Sequence, residues 1–250
     1  VKQYKSPYIP YYILGCNIGP YTDKEYIPLL IDEVFKNAQV VSFRDKASYD
    51  LCNFLNNVRY TTDIVFAMEL NNEKKSKKRV IFSIIDWYKK ANEKDAKIYE
   101  EKIIELTREF YNKGYEIMYM SFCKAEGDEQ AIERIESKMN DIKVQNYYYN
   151  GNIKEALEEL QQSEIIVGTR FHANILGILM NKKIIPIAYN NKTVNILKDL
   201  NFKGKLYTKE NLKNMNIDEI ILDNQIVEAD LQEEKHKANK HFEELDKILK

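Results

Sequence analysis

One pattern repeats along almost the whole chain: a short apolar run, a turn, then an amphipathic stretch with helical spacing. "RVIFSIIDW" (79–87), "YEIMYMSF" (115–122), "IKVQNYYY" (142–149), "EIIV" (164–167) and "KIIPIAY" (183–189) have the composition of strands. Between them lie "AKIYEEKIIELTREFYNKG", with Tyr99, Ile103, Leu106 and Phe110 on one face, and "GDEQAIERIESKM", with Ala131, Ile132, Ile135 and Met139. "NIKEALEELQQS" carries Ile153, Ala156, Leu157 and Leu160, and "HANILGILM" follows the run at 164–167. Strands that alternate with helices must lie parallel, because each helix carries the chain back to the same sheet edge. The sequence therefore predicts an α/β protein built from doubly wound, Rossmann-like parallel sheets.

The pattern occurs twice. In the first part, "YYILGCNIGP", "QVVSFRDK" and "NVRYTTDIVF" read as strands, and "TDKEYIPLLIDEVFKNA", with a cap-like Thr22, and "ASYDLCNFL" as helices. A polar, charged stretch, "NNEKKSKK" (71–78), separates this part from the second and reads as a linker. The expected layout is residues 1–70 as the C-terminal part of a first Rossmann-like domain, 71–78 as linker, 79–225 as a second domain and 226–250 as one long surface helix. The chain opens without methionine and reaches a strand within a dozen residues, so the first unit is expected to be incomplete, its beginning lying upstream of Val1. His236 and His241 share no helix face and are expected to be solvated.

Charge and cysteine content narrow the function classes. Lysine plus arginine number 38 against 39 acids, a balance that argues against a nucleic-acid partner. Cys16, Cys52 and Cys123 are odd in number and far apart, which fits a reducing cytoplasm better than a disulfide framework or a metal site. No stretch approaches the roughly 20 apolar residues of a membrane span.

The chemistry concentrates in "IIVGTRFHANILG". Thr169, Arg170, Phe171 and His172 fall where a strand hands over to a helix, the edge at which doubly wound sheets bind ligands. Free backbone N–H groups at a helix start attract anions, an arginine offers a planar fork for the same anion, and a histidine moves protons near neutral pH. On these residues alone, a helix cap and a salt bridge account for the pair at least as well. "SFRDK" sets Arg44 and Asp45 at a second strand end. Were the two units to face each other, Arg44 and Arg170 would suit a small polyanion.

Taken in order, "ILGCNIGP", "VVSFRDKASYDLC", "TTDIVF" and "IIVGTRFHANILGILMNKKIIPIAYNNKTVNIL" resemble the polysaccharide pyruvyl transferase family over nearly the whole chain, the long Arg-x-His segment being the most specific part. Asn17 stands where the family often has serine, and Asn190 where aspartate is frequent. The resemblance implies a fold similar to the two-domain GT-B glycosyltransferases. It also implies transfer of a pyruvyl group from phosphoenolpyruvate to two hydroxyls of one sugar, forming a cyclic ketal and releasing phosphate. Phosphoenolpyruvate is then a co-substrate, and neither cofactor nor metal is expected. The second substrate would be a glycan or a lipid-linked sugar, met in the cytoplasm or at the inner face of the membrane by peripheral association.

Arg44, Arg170 and His172 are carried over as catalytic or donor-binding, His172 as general acid and later base. Asn17, Gly19, Asp45, Thr169, Asn190 and Lys192 are carried over as substrate contacts. Two other readings stay open: a GT-B glycosyltransferase using a nucleotide sugar, and a non-catalytic protein that binds anions or glycans.

Overall fold

The computed structural model describes residues 9–19, 23, 25–70, 76–222 and 231–249. They fall into two compact units, one from Val1–Glu69 and Leu231–Lys250, the other from Leu70–Asp230. Thr22, residues 71–75 of the linker and residues 226–230 of the expected C-terminal helix lie outside the described residues.

The first unit is built on a three-stranded parallel sheet, β1 (Tyr12–Cys16), β2 (Val40–Phe43) and β3 (Val58–Tyr60), with β2 central. Helix α1 (Tyr26–Glu33) joins β1 to β2, and α2 (Lys46–Asp50) joins β2 to β3. The third strand is shorter than its sequence pattern suggests. Asp63 accepts from the Val65 N–H and starts a 3-10 turn, Ile64–Ala67, which ends the extended run. Ile31, Phe35, Val41, Phe43 and Cys52 make the core, with the Phe35 and Phe43 rings edge-on at 5.4 Å.

In the second unit β4 (Arg79–Ile84), α3 (Glu93–Asn112), β5 (Glu116–Ser121), α4 (Asp128–Glu136), β6 (Val144–Tyr148) and α5 (Ile153–Gln162) form one half. The other half is β7 (Ile165–Gly168), α6 (Phe171–Leu179), β8 (Lys183–Ala188), α7 (Asn191–Asp199), β9 (Tyr207–Thr208) and α8 (Ile217–Leu222). All six strands are parallel, in the order β6-β5-β4-β7-β8-β9. Counted within the unit this is 3-2-1-4-5-6, the dinucleotide-fold order, whose direction of winding reverses between β4 and β7.

Alternation along the strands explains why both faces are apolar. Phe82, Val167 and Ile185 join the core that holds Tyr99, Ile103 and Leu106 of α3 and Ile132 of α4. Ile166 and Ile184 point the other way, toward α6, where Gly177 is required: a Cβ there would stand 2.6 Å from the Ile184 side chain. Every residue of β4 is buried, as the centre of a covered sheet demands. The edge strand β6 keeps Gln145, Asn146 and Tyr148 exposed.

The C-terminal segment departs from expectation. Its described part forms two helices, α9 (Gln232–Asn239) and α10 (Glu243–Leu249), rather than one. His241 sits at the corner between them and is not solvated: it is 1% exposed. Its Nδ1 lies 2.6 Å from Ser42 Oγ on β2, and its Nε2 lies 2.9 Å from the Thr62 carbonyl. Thr61 Oγ1 donates to the Lys237 carbonyl, so α9 and the corner after it are both held against β2 and the residues that follow β3. His236 is exposed, as expected.

Candidate functional site

The reversal between β4 and β7 opens at their carboxyl ends, and the Arg-x-His segment lies there. Gly168 ends β7 and Arg170 is the N-cap residue of α6. The turn is built from behind by Asn174, fully buried, whose Nδ2 donates to the Gly168 carbonyl at 2.8 Å and to the Arg170 carbonyl at 3.2 Å. A Cβ on Gly168 would come within 2.2 Å of Asn174 Oδ1, so only glycine fits. Ser83 Oγ on β4 accepts from the Arg170 backbone N–H at 3.3 Å. Thr169 is buried and bonds through Oγ1 to the Tyr99 hydroxyl at 3.1 Å, so its side chain braces the turn. No side chain caps the start of α6, in contrast to α3, α5 and α7, each capped by an asparagine.

Sequence reasoning missed the partners of Arg170. Its Nε and Nη2 donate to the two oxygens of Asp128, at 3.2 and 2.5 Å, and its Nη1 donates to Glu126 Oε2 at 2.7 Å. Asp128 opens α4, has no solvent exposure, and also accepts from the backbone N–H groups of Phe122 and Cys123 at the exit of β5. Burial pushes its carboxyl above the ordinary value, while Arg170 and the two N–H groups act the other way. Four donors converge on this carboxyl, which suits the ionised form. Arg170 feels burial first, yet the two carboxylates outweigh it and raise its pKa.

Lys90, just past the β4 exit turn Trp87–Lys89, places Nζ 2.8 Å from the same Glu126 Oε2. Its Nζ also lies 6.0 Å from the ring centre of Tyr189, at the exit of β8. The exits of β4, β5, β7 and β8 are thus joined by one chain of charges and a ring. His172 is exposed in the first turn of α6, its ring edge-on to Phe171 at 5.1 Å. The signal that could have pointed to Asp128 and Glu126 is "EGD" in the short connection between a strand and a helix, where acidic residues beside a helix start are read first as caps.

At the exit of β8, Asn190 caps α7 through Oδ1, which accepts from the N–H groups of Lys192 and Thr193. Lys192 is exposed in the first turn. In the first unit Arg44 donates to Asp63 at 2.8 Å and to Asn17 Oδ1 at 2.9 Å, and its Nε–H is buried without a hydrogen-bond partner among the described residues. Asn17 in turn donates to the Gly19 carbonyl. Asp45 caps α2, with its two oxygens taken by the Ser48 N–H and hydroxyl. The structure thus gives Asp45 and Asn190 local capping roles and joins Asn17, Gly19 and Arg44 in one network.

Among the described residues no three His, Cys, Asp or Glu side chains group to hold a metal ion, and no helix is long and apolar enough to cross a membrane.

Among solved structures the fold is similar to UDP-GlcNAc 2-epimerase of Methanocaldococcus jannaschii, at 11% identity and a TM-score of 0.54 over 94% of this chain and 69% of that one. The same epimerase in complex with UDP-GlcNAc and UDP aligns at 12% identity and a TM-score of 0.52, over 96% and 68%. TarM of S. aureus, solved with fondaparinux, alpha-GlcNAc-glycerol and UDP, aligns at 14% identity and a TM-score of 0.50 over 94% of this chain, which spans about half of TarM, 48%. These are GT-B fold proteins, and at such identities they establish the architecture alone. No curated protein matches the sequence significantly. The family profile for polysaccharide pyruvyl transferase, however, matches residues 2–191 of the 250. The chain belongs to the polysaccharide pyruvyl transferase family.

Proposed function

We propose that the protein transfers the pyruvyl group of phosphoenolpyruvate onto two hydroxyls of one sugar in a polysaccharide or its precursor. The observation that carries this reading is the uncapped start of α6 at the winding reversal, with an exposed histidine in its first turn and two cations beside it. An open helix end with flanking cations favours phosphate and carboxylate, the two anionic groups of this donor. Asp128 holds the side edge of the Arg170 guanidinium, Nε and Nη2, and the half-exposed Glu126 occupies Nη1, the nitrogen an incoming anion would meet.

In this reading His172 delivers a proton to the donor methylene, which becomes a methyl group and leaves an oxocarbenium-like centre at C2. One sugar hydroxyl adds to C2 and returns its proton to His172. The C2–phosphate bond then breaks, and the second hydroxyl closes the ketal while its proton goes to the departing phosphate. Charge on that phosphate grows as its bond breaks, and preorganised donors at the end of α6 stabilise it there. Arg44, Asn17, Gly19 and Lys192 are assigned to substrate on the family resemblance, while Asp45, Thr169 and Asn190 shape turns and helix starts. The three cysteines are free thiols, which supports a reducing compartment.

The test is phosphate release from phosphoenolpyruvate with a panel of acceptor glycans, with the ketal read by mass spectrometry. Release that depends on an acceptor, with the pyruvyl group on the sugar, is the expected result. UDP binding without any response to phosphoenolpyruvate would move the chain to the nucleotide-sugar reading, for which the β8 exit offers Asn190 and Asn191 rather than a carboxylate for the ribose.

A further inference from the structure

One oxygen, Glu126 Oε2, lies 2.8 Å from Lys90 Nζ and 2.7 Å from Arg170 Nη1. Two cations from different strand exits, β4 and β7, are therefore drawn onto a single carboxylate from a third, β5. The carboxylate is not part of the core: its side chain is 40% exposed, against 13% for Arg170 and none for Asp128. It rides on a short 3-10 turn, Lys124–Glu126, that ends at Gly127 in the left-handed region. Asp128 already neutralises Arg170 and orients it, so Glu126 is not needed for either purpose.

We propose that Lys90 and Arg170 form a two-cation seat for the carboxylate of a small organic phosphate, and that Glu126 is a displaceable carboxylate gating it. This rests on the donor reading above and deepens it: Lys90 becomes a donor-specificity residue, and the donor's carboxylate replaces a carboxylate of the protein, like for like. Exchange of one anion for another keeps both cations paired, so entry of the donor leaves no desolvated charge without a partner. The carboxyl of Glu126 is held below its ordinary value by Lys90 first and Arg170 second, so at neutral pH the gate is an anion competing for the seat.

The experiment is direct calorimetric binding of phosphoenolpyruvate and of inorganic phosphate to the wild type, E126Q, K90Q and E129Q. Glu129, paired with Lys124 on the neighbouring turn, controls for loss of one negative charge in general. E126Q is expected to bind phosphoenolpyruvate roughly tenfold more tightly, the worth of one charge-assisted hydrogen bond no longer in competition, with E129Q near the wild type. K90Q is expected to weaken binding by a similar factor. A merely structural Glu126 moves affinity the other way, since its loss would scatter the two cations. Reduced or unchanged affinity in E126Q, or an equal gain in E129Q, overturns the gate. If phosphoenolpyruvate binds no variant while phosphate still gains in E126Q, the gated pair of cations stands as a seat for phosphate, and both its assignment to a carboxylate and the donor reading fall. If neither ligand responds to E126Q, the seat falls as well.

Discussion

Arg170 spends the side edge of its guanidinium on Asp128, a carboxylate with no solvent exposure, and not on open solvent at the helix end. The pair fixes where the β7–α6 turn sits relative to α4, and it makes Arg170 a structural residue as well as a candidate ligand. Arg170→Ala leaves a buried carboxylate without its counter-ion, held only by two backbone N–H groups, and should cost about 3 kcal/mol in urea unfolding. Arg170→Ala combined with Asp128→Asn should recover part of that loss. Additive losses in the double variant would show that the two side chains do not act as a pair.

Gly168→Ala should destabilise by about 1–3 kcal/mol, because the new methyl meets Asn174 Oδ1 at 2.2 Å and pushes the cap off its two carbonyls. Thermal unfolding of Gly168→Ala, Asn174→Ala and the double variant checks this. Once the amide is gone the methyl should cost much less.

His172→Gln preserves hydrogen-bonding size but cannot carry the proton. Turnover at saturating donor and acceptor should fall by roughly 10²- to 10⁴-fold, with donor affinity changed far less. Phosphate release and direct donor binding, measured side by side, separate an acid from an anchor: intact turnover with lost affinity would make His172 an anion ligand only.

His241 makes stability depend on pH. The Thr62 carbonyl can only accept, so Nε2 carries the hydrogen and Nδ1 takes the Ser42 hydroxyl proton, an arrangement of the neutral ring. Burial lowers the pKa, opposed by the Thr62 carbonyl and Asp63 and aided by Arg59. A folded pKa below the unfolded value of about 6.5 means that this stability is complete above that value and is lost as pH falls below it. Urea midpoints between pH 7 and pH 5 should drop in the wild type, and drop less in His241→Gln. Parallel curves would assign the acid sensitivity to other groups.

Arg44→Ala removes the ion pair of the buried Asp63 carboxylate and should cost about 2 kcal/mol in urea unfolding. An unchanged urea midpoint would show that this pair adds nothing to the first unit.

Where burial and periodicity coincide, the amino-acid order alone was enough to read the fold. "RVIFSI" is continuous because β4 is covered on both faces, and α3 shows its stripe because one side meets the sheet. The two-residue strand β9 carries too little pattern to recognise. His241 gave no signal because its burial depends on Ser42, about two hundred residues earlier, and on a bend that splits a polar helical stretch. The Arg-x-His segment was legible as a strand-to-helix turn, but its partners were not. Lys90, Glu126 and Asp128 belong to separate strand exits, and only the order of strands in the sheet brings them to one place. Asp45 and Asn190 were legible as cap-type residues at helix starts, and that is the role their oxygens fill.

The return of α9 and α10 to the first unit has a consequence for synthesis on the ribosome. The second unit is one uninterrupted stretch, Leu70–Asp230, and can close as soon as that stretch has emerged. The first unit is split around it and cannot seat His241 against Ser42 until α9 and α10 are made, so its β2 waits through the making of the entire second unit. The segment made before the second unit is thus completed only after it, and for that interval its half-covered sheet is the more open to wrong pairing.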